Sequence, residues 1–502
     1  MDSLKIFIPE FFLVTVLLYQ LINTIFLFKF TTQKIYCINE ELFNQNFFIY
    51  LILFFLTLNQ NFVGNFELFF SSDSSSILIK KILIFFVLFS FPAIWRSFVN
   101  QKINFYEYFI IIFLALFGSM LLLNVNDFIS LYLILELQAL SFYLLASFRT
   151  YSAFSSEAGL KYFIMGSIIS SIFLLSCLII FSSLGTTNFE NILLLLSIPV
   201  SNFEFFLVLY VSFFFLIFVF LFKLVIAPFH FWGPDVYEGS PLASTIFFSI
   251  IPKLSLVTIF LKCLSLFLPL FNYFENALLI IGVFSIFWGA YCALFQKRLK
   301  RFIIYSSISQ LGFIILALSM YKTTSFSSIY FYLFIYLLSS VLIWSFLANF
   351  YNINTTNSLW YKKQIQPSFL LSDISALFIT NNLWACLLLI LFFSFSGIPP
   401  LSGFLAKVFI IINLIQDQNI FISIFVILVS SISTYYYLRV IKIAFFNKKI
   451  QTFVFKKHSN FNTLLLDFEY TIVSIVLYLL ILIFFYPSLL GIISQLSIIN
   501  FF

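Results

Sequence analysis

The hydrophobic pattern of the chain consists of long apolar runs separated by short polar stretches. A membrane-spanning helix needs about 20 mostly apolar residues, because it must cross a hydrocarbon core about 30 Å thick. Runs this long indicate helices, since only helices and closed barrels span lipid. The sequence thus predicts 14 spans, at 6–28, 47–70, 77–95, 105–124, 127–148, 160–182, 205–230, 242–268, 276–295, 302–320, 326–350, 376–414, 420–446 and 466–490.

Composition agrees with this pattern and narrows the class. Of 502 residues, 62% are hydrophobic and 9% charged, which excludes a soluble globular protein and predicts an all-α polytopic membrane protein. The 78 phenylalanines and 13 glycines are typical of an AT-rich genome, and no presequence is recognisable, so we expect the mitochondrial inner membrane. The five cysteines are far apart and form no C-x-x-C pair, so they predict neither a disulfide framework nor a metal site.

Basic residues alternate between the loops. Loops after odd-numbered spans hold 17 of the 26 basic residues, whereas the opposite side holds five. The larger group is Lys29, Lys34, Arg96, Lys102, Arg149, Lys297, Arg298, Lys300, Arg301, Lys362, Lys363, Arg439, Lys442, Lys448, Lys449, Lys456 and Lys457. The smaller group is Lys5, Lys80, Lys81, Lys262 and Lys322. Because basic loops stay on the cytoplasmic or matrix side, both termini are predicted to face the intermembrane space.

Five ionisable residues fall inside predicted spans: Glu136, Lys161, Lys223, Lys253 and Lys407. A charge at the centre of a spanning helix costs about 2.5 to 3.5 kcal/mol, so such residues usually have a function. Each also has an ordinary structural interpretation. Glu136 and Lys161 could form a purely structural ion pair, and each of the other three lysines could extend its ammonium to an interface.

The positions of the broken spans suggest an internal repeat. Spans 4–8 and 9–13 form two five-helix units, and the odd count inverts the second relative to the first. The interrupted helices, spans 7 and 12, are fourth in each unit, as in inverted-repeat transporters. The sequence therefore predicts an N-terminal three-helix segment (1–104), a first repeat (105–268), a second repeat (269–446) and a C-terminal loop with the last span (447–502).

The stretch LFKLVIAPFHFWGPD combines a lysine with a helix break. Pro228 has no N–H and crowds the carbonyl of Leu224, so the helix should open about one turn beyond Lys223 and admit water. A hydrated lysine near a carboxylate can exchange protons, and a Glu136–Lys161 pair would adjust how much of that carboxylate Lys223 feels.

The polar residues after this break have open interpretations. His230 either takes part in the proton path or only hydrogen-bonds a carbonyl at the break. Asp235 and Glu238 are predicted to be loop residues at the matrix-side surface.

At these residues the chain resembles the antiporter-like membrane subunits of respiratory complex I, in the branch of subunit 2. The resemblance is carried by FKLVIAPFHFWGPDVYEGSP, EAGLKYFIMGS, KRLKRFIIYSSISQLGF and SGIPPLSGFLAK, and it covers nearly the whole chain. It implies a proton-translocating subunit of NADH:ubiquinone reductase whose central axis is the five intramembrane residues, with helix breaks at Pro228 and Pro400. It also implies that Lys407 is the last residue before the outer exit.

The resemblance further implies where the redox chemistry lies. FMN, iron–sulfur clusters and ubiquinone would be held by partner subunits, and this chain would bind no cofactor or metal. This expectation agrees with the absence of a G-x-G-x-x-G fingerprint from the sequence. The neighbours would be subunit 4, subunit 4L and subunit 6 together with lipids, and no nucleic acid is expected.

One position departs from the family pattern. Many relatives have a histidine where this chain has Gln310, and glutamine holds water but cannot carry a proton. Tyr305, Ser306 and Ser309, with water, are the predicted bridge from Lys253 to Lys407. Two other functions stay open at this point: a freestanding cation/proton antiporter of the same ancestry, and a membrane scaffold that does not pump.

Overall fold

The computed structural model of the chain describes residues 5–30, 35–66, 69–101, 103, 106–197, 203–350, 370–375, 377–446 and 463–497. Of the predicted inner-loop residues, Lys34, Lys102, Lys362, Lys363, Lys448, Lys449, Lys456 and Lys457 lie outside this description, as do both termini. The described residues form 19 α-helices, one short 3-10 helix at Leu371–Ile374 and one two-stranded hairpin. The structure is thus nearly all helical, as the sequence predicts.

The helices follow the predicted spans in order. They are α1 (Ile8–Phe30), α2 (Ile35–Leu58), α3 (Ser74–Asn100), α4 (Glu107–Leu122), α5 (Phe128–Ala146), α6 (Ala153–Leu184), α7 (Phe189–Ser197), α8 (Phe203–Lys223), α9 (Trp232–Gly239), α10 (Leu242–Leu266), α11 (Leu268–Phe295), α12 (Leu299–Ser319), α13 (Thr323–Phe350), α14 (Leu377–Thr380), α15 (Asn382–Ser396), α16 (Ser402–Gln416), α17 (Ile420–Phe446), α18 (Thr463–Phe485) and α19 (Pro487–Leu496).

Eleven of these helices are long and apolar enough to cross a membrane, and α2, α4, α15 and α16 are shorter apolar helices. Because α15 and α16 together replace the predicted twelfth span, the described helices account for all 14 spans. The short helices α7 and α9 were not predicted, since each is below the length at which hydropathy identifies a span. Helix α14 falls inside the predicted twelfth span, and α19 begins inside the predicted fourteenth.

The second predicted span is misplaced. It was expected at 47–70, but α2 is Ile35–Leu58, and the chain then forms a hairpin of β1 (Gly64–Phe66) and antiparallel β2 (Phe70–Ser72). The amides of Asn59, Gln60 and Asn61 directly follow the helix. Three consecutive polar side chains end the apolar run there, whereas the predicted span continued across them to residue 70.

The most buried helices lie at the centre of the bundle. The apolar windows of α10 and α13 are each 94% buried, whereas that of α6 is 28% buried. Hydroxyl groups on these central helices mostly bond within their own helix: Ser249, Ser255 and Ser339, for example, each donate to a carbonyl three residues earlier. This local bonding lets polar residues lie in an apolar interior without distant partners.

Three lysines that the charge pattern assigned to the outer side, Lys80, Lys81 and Lys262, lie inside helices. Lys80 is fully buried in α3 and pairs with the carboxylate of Glu10 from α1. Lys262 lies in α10, and its Nζ donates to the carbonyl of Val125 at 2.7 Å. The predicted spans 77–95 and 242–268 already contain all three residues, each within two turns of the end assigned to the outer side.

Candidate functional site

The broken helix of the first repeat opens at Lys223 itself. Helix α8 ends there, and α9 begins at Trp232, so the break starts about one turn earlier than Pro228 predicted. Val225 has a φ of 61°, in the left-handed region that β-branched residues rarely adopt. The carbonyl of Phe222 accepts from the Val225 N–H at 3.0 Å and from the Trp232 Nε1–H at 3.2 Å. The break is therefore a defined turn in which backbone and side-chain donors both satisfy a carbonyl at the helix end.

A cavity of about 60 Å³ lies beside this break and is called the first cavity. Lys223 and Lys253 both line it, together with Gln138, Tyr143 and Tyr237. A space of this size holds about four water molecules. Two of the five predicted site residues, contributed by α8 and α10, thus share one hydratable space.

Glu136 lies on α5, next to this group. Its carboxylate is half-buried, and Oε1 is buried without a hydrogen-bond partner in the described part of the chain. The carboxylate interacts electrostatically with Lys223. Glu136 is thus the acidic neighbour of Lys223 at the helix break.

Lys161 does not pair with Glu136. Its Nζ lies 2.7 Å from Glu157, one turn earlier on α6, and 3.0 Å from Asp235 on α9. The predicted Glu136–Lys161 pair is therefore wrong for this conformation. Lys161 is 44% exposed and bonds the carboxylates at the helix end, which offer solvated partners at lower cost than a buried pair.

Asp235 and Glu238 are helical and paired, which corrects their interpretation as loop residues. Both lie on α9. Arg301 of α12 contacts Asp235 at 2.9 Å and also Glu238, and Arg298 contacts Glu238 at 2.7 Å. With Glu157 and Lys161 these residues form a continuous row of alternating charges, called the charge row. It connects α6 and α9 of the first repeat to the start of α12 in the second.

Lys253 is buried in the centre of the molecule and has one specific partner. Its Nζ donates to the hydroxyl of Tyr336 on α13 and lies 4.8 Å from the centre of that ring. Pro252 precedes it inside α10. Tyr336 was not predicted as a site residue, yet it is the group that the Lys253 ammonium contacts.

A second cavity, of about 20 Å³, is lined by Tyr336. Gln310 and Ser306 line it, and its volume is enough for one or two water molecules, at about 10 to 15 Å³ each. The hydroxyl of Tyr332 donates to Oε1 of Gln310, whose Nε2 donates to the carbonyl of Phe395 at 3.3 Å. The glutamine therefore connects the second cavity to the end of α15.

Lys407 lies at the same point. It is buried on α16, and its Nζ donates to the carbonyls of Phe395 at 2.7 Å and Ser396 at 3.0 Å. These are the last carbonyls of α15, freed because Pro399 and Pro400 have no N–H to donate back to them. Cations are favoured at this negative end of a helix. Gln310 and Lys407 thus share the Phe395 carbonyl.

The remaining predicted site residues lie near the contacts that lead from Lys223 to Lys407, but they do not bridge the gaps between the lysines. His230 is buried and accepts a hydrogen bond from the Trp288 indole at 3.0 Å, so it does not bond only a carbonyl. Tyr305 packs edge-on against His230. Ser309 donates to the carbonyl of Ser306 within α12 at 2.7 Å. Of the predicted bridge, Ser306 lines the second cavity, whereas the contacts toward Lys253 and Lys407 come from Tyr336 and Gln310.

Sequence reasoning missed the tyrosines, although one signal was available. Tyr332 and Tyr336 are four residues apart in YFYLFIY, so they lie on one face of α13. Aromatic residues are too common in this chain for that spacing to stand out without knowing which helices α13 contacts.

Fold and site together define a class: polytopic antiporter-like membrane subunits with two broken helices and a row of buried lysines. Residues 125–433 match the family described as NADH:quinone oxidoreductase/Mrp antiporter, TM. Over 99% of its length the chain is 31% identical to the whole of NADH-quinone oxidoreductase subunit N of Pelagibacter ubique (strain HTCC1062). It is also 31% identical to NADH-ubiquinone oxidoreductase chain 2 of Marchantia polymorpha, over 78% of this chain and 76% of that one. The chain belongs to this family of NADH:quinone oxidoreductase subunits, which confirms the resemblance.

Solved structures share the fold. Respiratory complex I from Thermus thermophilus with bound aureothin contains a chain with a TM-score of 0.76 and 21% identity, covering 97% of this chain and 100% of that one. The archaeal membrane-bound sulfane sulfur reductase contains one with a TM-score of 0.79 and 19% identity, covering 100% and 98%. The Mrp complex from Dietzia sp. DQ12-45-1b contains one with a TM-score of 0.76 and 16% identity, covering 99% and 97%. At these identities the likeness describes the fold alone.

Proposed function

We propose that this chain translocates protons across the mitochondrial inner membrane as a membrane-arm subunit of respiratory complex I. The observation that carries the proposal is the continuous polar row from Lys223 to Lys407. Lys223 and Lys253 line the first cavity, and Lys253 contacts Tyr336, which lines the second. Gln310 and Lys407 then meet at one carbonyl. This row supports proton transfer because cavities large enough for water and the Tyr336 hydroxyl lie between the ionisable residues.

In this proposal Glu136 and Lys161 set the state of Lys223. Lys161 moves between its carboxylates on the charge row and Glu136, and the free carboxylate of Glu136 stabilises the protonated form of Lys223 when Lys161 is away. Lys223 passes its proton through water to Lys253, and the proton leaves by way of Lys407. Gln310 does not carry charge but orients water and holds the Phe395 carbonyl.

The rest of the machinery is proposed to lie in other subunits. The relatives named above are subunits of NADH-quinone oxidoreductase. We infer that FMN, iron–sulfur clusters and ubiquinone are bound by partners, and that subunits 4, 4L and 6 are the neighbours. The phenylalanine-rich composition supports a mitochondrial gene, and the basic loops support termini in the intermembrane space.

The test is Lys223→Ala in the assembled complex. NADH-driven proton pumping in liposomes should fall several-fold, while electron transfer from NADH to an artificial acceptor should stay unchanged, since redox groups are elsewhere. Lys442→Ala, near the C-terminal end of α17 and outside the polar row, is the matched control and should pump normally.

The result separates the proposal from its alternatives. Normal pumping by an assembled complex carrying Lys223→Ala would indicate a scaffold and contradict the proposal. Ion exchange by the isolated chain in liposomes without redox partners would indicate a freestanding antiporter.

A further inference from the structure

One residue separates the two cavities. Among the described residues, Tyr237 of α9 alone lines both the first and the second cavity. The side chain is 7% exposed. Its phenol ring is therefore the wall between the space that contains Lys223 and the space that contains Gln310.

The Tyr237 hydroxyl bonds a backbone carbonyl of α10 that lacks its usual partner within the helix. Pro252 has no N–H, so the carbonyl of Phe248, four residues earlier on α10, loses its helical partner. The hydroxyl of Tyr237 donates to that carbonyl at 3.2 Å. The proline that directly precedes Lys253 thus provides the acceptor that orients the wall.

The helix that carries Tyr237 is held tightly on its other sides. A Cβ on Gly239 would lie 2.6 Å from the Phe154 carbonyl oxygen, so the end of α9 is packed directly on α6. The Trp232 ring stacks on Tyr162 with centroids 4.8 Å apart. Asp235 and Glu238 bond the arginines of the charge row on the face away from Tyr237. The ring is therefore fixed by its own helix.

Apart from the Tyr237 hydroxyl, which bonds the Phe248 carbonyl, one side-chain hydrogen bond among the described residues joins the two cavities, the contact of Lys253 with Tyr336. Lys253 lines the first cavity and Tyr336 the second. This contact gives a proton a route past the ring through the ammonium and the hydroxyl.

We propose that the Tyr237 ring is the barrier that prevents water from connecting the two cavities, so that protons cross only by way of Lys253 and Tyr336. This inference rests on the proposed proton translocation. It assigns Tyr237 as a positioning residue: it binds no proton itself, but it makes passage depend on Lys253. Without the ring, a water chain between the cavities lets protons return without that lysine.

The test compares Tyr237→Ala with Tyr237→Phe in the assembled complex, reconstituted into liposomes. Tyr237→Ala opens a space larger than one water needs. NADH oxidation should continue, the pH gradient formed per NADH oxidised should fall several-fold, and the passive proton leak after turnover is stopped should rise. Tyr237→Phe keeps the ring and should hold a gradient like that of the unsubstituted complex.

Phe142→Ala is the matched control, because Phe142 lines only the first cavity. It removes an aromatic ring without removing the wall, so no leak should appear. If Tyr237→Ala does not assemble, Tyr237→Leu takes its place, since its branched chain keeps apolar volume but covers less of the passage, and it too should leak.

Two results would overturn the inference. One is an assembled Tyr237→Ala or Tyr237→Leu complex whose pH gradient and proton leak equal those of the unsubstituted complex. The other is a Tyr237→Phe complex that leaks as much as Tyr237→Ala or Tyr237→Leu. Lys253→Ala, measured in parallel, tests the proposed function separately. Normal pumping by Lys253→Ala would contradict proton translocation itself. If Lys253→Ala loses pumping while the Tyr237→Ala complex shows no added proton leak, only the barrier is overturned.

Discussion

Buried lysines are stable in this molecule because most of them have a specific acceptor. Lys253 has the Tyr336 hydroxyl, and Lys407 has two backbone carbonyls. A hydrogen bond to a charged group is worth about 1.5 to 3 kcal/mol, comparable to the insertion cost of about 2.5 to 3.5 kcal/mol. Lys223 has no hydrogen-bond acceptor among the described residues, so its ammonium depends on water in the first cavity.

Removing the hydroxyl that accepts from Lys253 should interrupt the polar row from Lys223 to Lys407. Tyr336→Phe keeps the ring 4.8 Å from the ammonium but deletes the hydroxyl. We expect proton pumping to fall several-fold in a complex that assembles normally, as measured by NADH-driven acidification of liposomes. Tyr330→Phe is the matched control, because Tyr330 is buried on the same helix and its hydroxyl has no partner in the described chain. Equal pumping by the two variants would contradict a role for the Tyr336 hydroxyl.

Proton pumping should require a polar side chain at position 310, but not a charged one. Gln310→Leu leaves the Tyr332 hydroxyl without its acceptor, at a cost of about 1 to 3 kcal/mol, and removes the polar wall of the second cavity. Pumping should fall with Gln310→Leu and persist with Gln310→His, which can bond water and carry a proton. A leucine variant that pumps normally would show that the path avoids this residue.

At the scale of the elements, the two repeats place their lysines at equivalent points by different routes. Lys223 is the last residue of α8, whereas Lys407 lies on α16 and reaches back to the last carbonyls of α15. Both ammonium groups therefore lie at the C-terminal end of the first half-helix, where the helix dipole favours a cation. The unequal spacing of lysine and proline in the sequence hides this equivalence.

The turn after α15 should be sensitive to a single methyl group. Gly397 has a φ of 80°, and a Cβ there would lie 3.0 Å from Cδ of Lys407. Gly397→Ala should cost about 1 to 2 kcal/mol in backbone strain and displace the lysine, lowering pumping. Gly185 has a similar φ of 73°, but a Cβ there would meet no atom within 4 Å. Gly185→Ala should therefore cause similar backbone strain and leave pumping unchanged. A thermal melt checks the strain and the liposome assay checks the pumping; equal pumping losses would contradict the displacement.

At the scale of the whole molecule, the charge row joins the two repeats on one side of the bundle. Arg301 of the second repeat contacts both Asp235 and Glu238 of the first. Partly exposed ion pairs are worth about 0 to 1 kcal/mol each, so the row adds modest stability, but it determines where α9 sits.

Arg301→Gln should weaken this link. We expect the melting temperature of the complex to fall by a few degrees at low salt, and the difference to shrink at high salt because exposed pairs are screened. Arg439→Gln is the control, since Arg439 donates to the carbonyl of Leu294 at 3.0 Å rather than to a carboxylate. A salt-independent loss for Arg301→Gln would mean that packing, not charge, accounts for it.

The sequence by itself determined the number of spans and the two breaks. Each of these is a local property: hydropathy needs only a window of residues, and a proline removes a backbone donor wherever it occurs. For the same reason Lys223 and Lys407 could be predicted with their breaks before any contact was known.

Only the tertiary structure decided the partners. Lys161 bonds Glu157 and Asp235 instead of Glu136, Tyr336 receives Lys253, and Tyr237 separates the cavities. These facts depend on which faces of distant helices meet. A chain in which almost every helix face is apolar carries little sequence signal of that choice, because lipid and protein interiors favour the same residues.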